Sequence, residues 1–192
     1  MNIRILICLI ASFFYSSAWA ESTSYTVKVN HESVELILLE TVHLQEPSAD
    51  ADAFAQFLAP KLMHHTRNNG FESCSQMCYS PNHGWAAHIF TTQSQIGCVI
   101  VNYCPVNHTA TEHSIHSHPD YQNSLTLSKV DRLFIRAPGH RRHLSTHHQN
   151  PHLFSEADFK AGPGYMTSSA GLWHQRSKHD IRQISSTPAT AP

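Results

Sequence analysis

The chain has 192 residues, of which 41% are hydrophobic and 14% are charged. This composition suits one domain with a buried core and excludes a chain that is disordered throughout. The 13 basic and 14 acidic side chains leave a formal net charge of −1, so we expect no nucleic-acid partner. The chain also contains 17 histidines, and because histidine is the most common metal ligand, this number indicates metal or pH chemistry.

Residues 1–20 have the three parts of a secretory signal peptide. Arg4 gives a positive start, an apolar run follows, and residues 18–20 (AWA) match the small-x-small pattern of a cleavage site. The apolar run is short for the alternative, a membrane anchor. We therefore expect a periplasmic or secreted protein with no stable membrane span after signal cleavage.

The first part of the mature chain is predicted to form strands and then a helix. Within the N-terminal strand segment, residues 21–47, the stretch 25–46 alternates and is rich in Val, Ile and Leu. A helix is predicted over residues 48–69, capped by its first residue and ended by Gly70. Pro60 is expected to kink or split this helix.

The middle of the chain is predicted to form more strands. Residues 71–79, 84–92 and 96–104 have strand composition, and the last of these contains GCVIVNYC, the most strand-like segment of the chain. A short strand over residues 112–118 is ended by Pro119.

After residue 119, a long stretch separates this strand from the last predicted elements. A short helix is expected over residues 155–160, and a closing hairpin over 164–169 and 172–176. Residues 177–192 are polar and proline-rich, which predicts a disordered tail. The order of elements predicts an α/β domain over residues 48–176, with a mixed β-sheet flanked by helices.

Four cysteines remain outside the leader: Cys74, Cys78, Cys98 and Cys104. An even number in an exported chain indicates two disulfides, for which three pairings are possible. The alternative is a four-thiolate zinc site. Because the C-x3-C and C-x5-C spacings are looser than those of zinc knuckles, we favour the disulfides.

Two motifs supply a candidate metal site. His116 and His118 are two positions apart on a predicted strand, so they lie on the same face and can share one ion. Asp158 follows Ser155 by three residues, a spacing that puts both on one face of a helix and that is also typical of a capping box. Asp120 is a nearer alternative carboxylate.

A hydrolytic zinc site needs three protein ligands, an open position for water and a general base. The two histidines and Asp158 supply the ligands, and a glutamate would supply the base. The residue types alone leave six glutamates in competition for that role: Glu32, Glu35, Glu40, Glu46, Glu72 and Glu112.

Taken together, the motifs resemble the JAMM (MPN-plus) zinc metallopeptidases, and in particular the JAMM-like domains of bacterial secreted toxins. The pattern of that family is an upstream Glu, then His-x-His-Pro, then Ser-x-x-Asp, which this chain matches at Glu72, 116–119 and 155–158. The run FSEADF…GYMTSSAGLW is similar to the ending of the toxin domains. The resemblance covers residues 50–176 and implies the JAMM (cytidine-deaminase-like) architecture.

The resemblance also implies a role for each residue. His116, His118 and Asp158 would bind Zn²⁺, and Glu72 would take a proton from the zinc-bound water and pass it to the leaving amine. Ser155 would donate a hydrogen bond to the developing oxyanion. The implied function is an exported zinc metallopeptidase that hydrolyses an amide or isopeptide bond in a peptide, protein or cell-wall peptide.

One departure from the family pattern is an insertion, residues 120–154, between the His-x-His and Ser-x-x-Asp motifs. It is either a solvated loop or an arm that covers the zinc and holds substrate. Two other functions remain open: a non-enzymatic periplasmic metal-binding protein that uses its His-rich loop, and a catalytically inactive JAMM-fold binding module. A base beside an open metal site is needed only by a hydrolase.

Overall fold

One eight-stranded sheet organises the chain in a computed structural model, which describes residues 24–120, 127–136 and 153–186. The strands are β1 (Ser24–Val29), β2 (Glu32–Leu44), β3 (Cys74–Ser80), β4 (Gly84–Thr91), β5 (Thr109–Ser117), β6 (Gly164–Ser168), β7 (Gly171–Ser177) and β8 (Asp180–Ser185). The helices are α1 (Ala51–Asn69), α2 (Lys129–Arg136) and α3 (Glu156–Ala161). The predicted α/β class with a mixed sheet is confirmed. The predicted signal peptide, residues 1–20, lies outside the described residues.

The strand order is β1-β2-β4-β3-β5-β6-β7-β8. Every neighbouring pair is antiparallel except β5 and β6, which are parallel. A parallel pair needs a crossover connection, and here it contains α2 and α3. The crossover begins just after His116 and His118, and Asp158 lies near its end. The parallel pairing therefore places the Asp158 carboxylate near the end of the strand that carries the histidines.

Helix α1 packs on one face of the sheet. Its buried side, which includes Leu58 and Leu62, contacts Ile89, Ile115 and Tyr165 on the strands. This apolar layer is the main core and excludes water from that face.

The ends of α1 have defined caps. The side chain of Asp50 accepts a hydrogen bond from the Ala53 N–H at 2.8 Å, so Asp50 is the cap rather than the predicted Ser48. Gly70 ends the helix as predicted, with a φ of 76° and its N–H donating to the Thr66 carbonyl. The helix is not split at Pro60. Apolar side chains on both sides of the proline are buried against the sheet.

A second, smaller core covers the opposite face. Helix α2 contributes Leu133 and Phe134, which pack with Val29, Val34 and Ile96. Strand β2 contributes to both cores, because the register shift between residues 38 and 40 changes the face on which later side chains lie.

Two sequence predictions are wrong at the level of elements. Residues 96–104, predicted as the strongest strand, form no strand and belong to the loop 92–108. Strand β3 already pairs with β4 on one side and β5 on the other, so this loop finds no open edge there. The tail predicted to be disordered from residue 177 contains β8, which pairs with β7.

The four cysteines form two disulfides, Cys74–Cys98 and Cys78–Cys104, each with a Cα–Cα distance of 5.9 Å. The prediction of two disulfides is confirmed, and the four-thiolate zinc alternative is wrong because the sulfurs are bonded in pairs. Two disulfides fit an extracellular or periplasmic protein. Among the described helices, none is long and apolar enough to cross a bilayer.

Candidate metal site

His116 and His118 lie at the carboxyl end of β5. Strand β5 is central, since β3 and β6 pair with it on its two sides, and the His118 N–H continues the ladder by donating to the Thr167 carbonyl at 2.9 Å. Both side chains are buried, and their Nε2 atoms are 3.0 Å apart. The alternation of side chains along a strand therefore predicted correctly that the two histidines share a face.

Ser117, between the two histidines, points to the opposite face and fixes the backbone. Its hydroxyl accepts from the Ser73 N–H at 2.9 Å and contacts the hydroxyl of Thr66 on α1. The Ser117 N–H donates to the Ser73 carbonyl at 2.9 Å. These buried hydrogen bonds hold the backbone between the two histidines from the face opposite the site.

Asp158 faces the histidines from α3. Ser155 and Asp158 form a capping box, in which Asp158 Oδ2 accepts from the Ser155 N–H at 2.6 Å and Ser155 Oγ accepts from the Asp158 N–H at 3.0 Å. Asp158 Oδ1 lies 3.6 Å from His116 Nε2. The cap thus uses one carboxylate oxygen and directs the other toward the imidazoles.

His116, His118 and Asp158, the His-His-Asp group, place one ligand atom each within 4.8 Å of one another. Two imidazole nitrogens at 3.0 Å need either a shared proton or a shared cation between them. The neighbouring Asp158 carboxylate stabilises either positive charge and adds a third donor atom for a metal ion. The group can therefore hold a metal ion, and a site with three protein ligands leaves a position open for water or substrate.

Glu72 is positioned by its backbone rather than by its carboxylate. Its N–H donates to the Ser94 carbonyl and its carbonyl accepts from the Thr91 hydroxyl, both at 2.8 Å. The side chain is only 3% exposed, and within the described residues its Oε1 has no hydrogen-bond partner. Burial raises the pKa of Glu72 well above its usual value, and the nearby Asp158 and Asp131 carboxylates raise it further.

A cleft of about 230 Å³ contains the His-His-Asp group together with Glu72 and Ser155. Its apolar wall includes Ile96 and Ile100 from the loop 92–108 and Phe134 from α2. All five predicted site residues therefore line one cavity. A bound cation there would offset the repulsion between the buried carboxylates, so the orphaned oxygen of Glu72 fits a site built around a metal ion.

The alternative site residues lie elsewhere. Asp120 is exposed, and none of the five competing glutamates lines the cleft. Glu40 instead forms ion pairs with Lys61 at 2.8 Å and with His65 at 3.2 Å. Glu112 is exposed and lies 3.6 Å from His113.

Asp131 is an important residue that the sequence reasoning missed. It is fully buried and accepts hydrogen bonds from the Ser94 hydroxyl at 2.7 Å and the Gln95 N–H at 2.8 Å. With Ser128 it forms a second capping box, which begins α2. The available signal was the pattern Ser-Lys-Val-Asp at 128–131, a second Ser-x-x-Asp that lies nearer to HSHP than the one at 155–158.

The two Ser-x-x-Asp capping boxes, at 128–131 and 155–158, have different roles. The carboxylate oxygens of Asp131 accept hydrogen bonds from the loop 92–108 and from the start of α2. The Asp158 carboxylate lies beside the histidines. Helix α2 comes from the insertion 120–154, and its Phe134 ring packs so closely on Gly97 that a Cβ there would be 2.6 Å from the ring. The described part of the insertion is thus a packed wall of the cleft rather than a solvated loop.

No family model matches the chain, and searches of curated proteins and of solved structures found no match.

Proposed function

We propose that the protein is an exported zinc metallopeptidase that hydrolyses amide or isopeptide bonds, with the JAMM-like architecture that its motifs resemble. The observation that carries this proposal is Glu72, a buried carboxylate with an unpartnered oxygen in the same cleft as the His-His-Asp group. A protein that only stores metal has no use for such a residue. Burying it costs stability, which is typical of catalytic groups.

Zinc is the metal that this donor set suits best, since two imidazoles and one carboxylate are common ligands of catalytic zinc. When bound, zinc would polarise the scissile carbonyl and lower the pKa of water toward about 7. Glu72 would accept the proton of the attacking water and deliver it to the leaving amine. The Ser155 hydroxyl accepts from the Asp158 N–H, which directs its hydrogen elsewhere, and it would donate this hydrogen to the developing oxyanion.

The shape of the cleft supports a peptide substrate. Ile96, Ile100 and Phe134 form an apolar wall beside the polar site, which would bind an aliphatic side chain next to the scissile bond. Two disulfides fit action outside the cytoplasm. We therefore propose extracellular or periplasmic proteins, peptides and cell-wall peptide crosslinks as the substrate class.

The test compares wild type with Glu72→Gln on mixtures of linear peptides, isopeptides and cell-wall crosslinked peptides, with products identified by mass spectrometry. The substitution keeps the size of the side chain but removes the base, so we expect hydrolysis to fall by about 10²–10⁴-fold. The zinc content, measured by elemental analysis, stays the same. Glu32→Gln makes the same chemical change at an exposed position and serves as the control.

Two results would contradict the proposal. If Glu72→Gln remains fully active, Glu72 is not the base. If Glu72→Gln loses its zinc, Glu72 is a ligand and the site has no open position.

Asp158→Asn, in contrast, is expected to weaken zinc binding itself, because it removes a charged ligand. A wild-type chain that binds zinc tightly but cleaves none of these substrates would favour the metal-storage or inactive-module alternatives.

A further inference from the structure

A second group of histidines lies at the other end of the sheet. His43 is near the end of β2, His83 is in the turn between β3 and β4, and His108 immediately precedes β5. We call these three residues the trihistidine cluster. Because β3 has 7 residues and a strand rises about 3.3 Å per residue, the cluster lies roughly 20 Å from the His-His-Asp group.

The trihistidine cluster surrounds a cavity of about 500 Å³. The ring centres of His43 and His108 are 5.6 Å apart, and those of His83 and His108 are 6.0 Å apart. Imidazoles bound to one tetrahedral ion at 2.0–2.1 Å have ring centres about 5–6 Å apart. The other polar residues of the cavity, Gln45, Asn82 and Asn107, carry neutral amides.

The His108 ring already has the hydrogen bond that a metal ligand needs. Its Nδ1 lies 2.9 Å from the Val106 carbonyl oxygen, and because a carbonyl only accepts, Nδ1 carries the hydrogen. Nε2 is therefore the nitrogen with the lone pair. This atom is buried and has no hydrogen-bond partner among the described residues. Metal-binding histidines commonly donate their other N–H to a carbonyl in this way.

The backbone holds His108 in place while the other two rings can move. The Cys78–Cys104 disulfide attaches the loop 92–108 to β3, and the His108 N–H donates to the Pro105 carbonyl at 3.1 Å. His43 and His83 are exposed, so their rings can turn about their side-chain torsions to face His108 Nε2. One fixed ligand with two adjustable ligands can complete a coordination sphere without moving the sheet.

We propose that His43, His83 and His108 form a second metal site, which binds one divalent transition-metal ion of the class that prefers imidazole, Zn²⁺ or Cu²⁺. Among the described residues that line the cavity none carries a carboxylate, so the site does not suit Ca²⁺ or Mg²⁺. It is independent of the hydrolytic site, because no residue is shared and the two lie at opposite ends of β3.

The experiment uses the chain with both disulfides formed, carrying His116→Ala and His118→Ala so that the first site is removed. The protein is stripped of metal and titrated with Cu²⁺, and binding is followed by competition with a chelator and by electron paramagnetic resonance. We expect one bound ion with a spectrum of three imidazole nitrogens. Adding His83→Ala or His108→Ala should weaken its binding by more than about 100-fold, beyond the effect of losing an outer-shell partner.

His179→Ala, an exposed histidine in the turn after β7, is the matched control and should bind as the parent does. If both His83→Ala and His108→Ala retain the parent affinity and spectrum, the proposal is wrong and the remaining histidines hold the ion. His83 is in an exposed turn, so its variant tests the site even if His108→Ala fails to fold. A stoichiometry of zero in the parent chain would also refute the site.

Discussion

At the scale of one residue, Glu72, the proposed general base, is a side chain whose burial opposes folding. The side chain is almost completely buried, and one oxygen has no partner within the described residues. Burial and the carboxylates of Asp158 and Asp131 raise its pKa well above the usual value of a glutamate. In the folded, metal-free protein the Glu72 carboxyl therefore keeps its proton to a higher pH than it does in the unfolded chain.

The pH dependence of stability follows from this raised pKa. Above about pH 4.5, the unfolded state loses the Glu72 proton while the folded metal-free state keeps it, so the free energy of unfolding decreases by about 1.4 kcal/mol per pH unit until the folded pKa is reached. Glu72→Gln removes this penalty. We expect the metal-free variant to be more stable than wild type at pH 7 and equal to it below pH 4.

Urea denaturation of both proteins in EDTA, at several pH values, measures this difference. Glu32→Gln, at an exposed position, should leave the profile unchanged. If Glu72→Gln is less stable than wild type at pH 7, the carboxylate makes favourable contacts in the folded chain. That result would contradict its assignment as a buried general base without a partner.

The site residues differ in how far the sequence could predict them. His116 and His118 follow from strand periodicity, which is a local property. Asp158 follows from a capping pattern, but the same pattern occurs at Asp131, and only the tertiary structure distinguishes a carboxylate that faces imidazoles from one that holds a loop. Glu72 was identified only through the family resemblance, because contacts with Thr91 and Ser94, distant in sequence, determine its burial.

At the scale of elements, the loop 92–108 shows why strand propensity alone misleads. Its apolar β-branched residues predict a strand, but a strand needs an edge with which to pair. Both edges of β3 are occupied. Instead, the disulfides at Cys98 and Cys104 attach the loop to β3, and Ile96 packs against α2 in the second core. Helix α2 was missed although the capping box at 128–131 that begins it is visible in the sequence.

Removing either disulfide is expected to lower stability equally, but each removal is expected to impair a different site. They join residues 24 and 26 positions apart, so removing either one with paired Cys→Ala substitutions should lower the free energy of unfolding by about 3–4 kcal/mol. Cys98 lines the cleft of the His-His-Asp group, whereas Cys104 holds the loop near His108. Loss of the Cys74–Cys98 bond should therefore impair hydrolysis, and loss of the Cys78–Cys104 bond should impair the trihistidine cluster.

Denaturant unfolding, peptide-hydrolysis assays and metal titration of the two double-alanine variants measure these effects, and the variants serve as controls for each other. Equal loss of activity in both, at temperatures where both are folded, would show that the loop 92–108 acts as a single rigid unit rather than as two separately attached halves.

For the whole molecule, metal binding is expected to contribute a substantial share of stability. A ligand that binds only the folded chain at 1,000 times its dissociation constant stabilises it by about 4 kcal/mol, which for a domain of this size raises Tm by roughly 10 °C. We expect EDTA to lower the Tm of the zinc-loaded protein by about this amount. A variant with alanine at His108, His116 and His118 should lose most of the shift, and a full shift in that variant would assign the stabilisation to other histidines.

The crossover between β5 and β6 has a consequence for the order of events in folding. The histidines of the His-His-Asp group precede it and Asp158 follows it, so about 40 residues of chain must close before the three ligands meet. Parallel pairing over such a separation is slow compared with the formation of hairpins. The three ligands can act together only after this long-range contact has formed. A complete His-His-Asp group therefore marks a chain in which β5 and β6 have paired, and intermediates that lack this pairing also lack the proposed hydrolytic site.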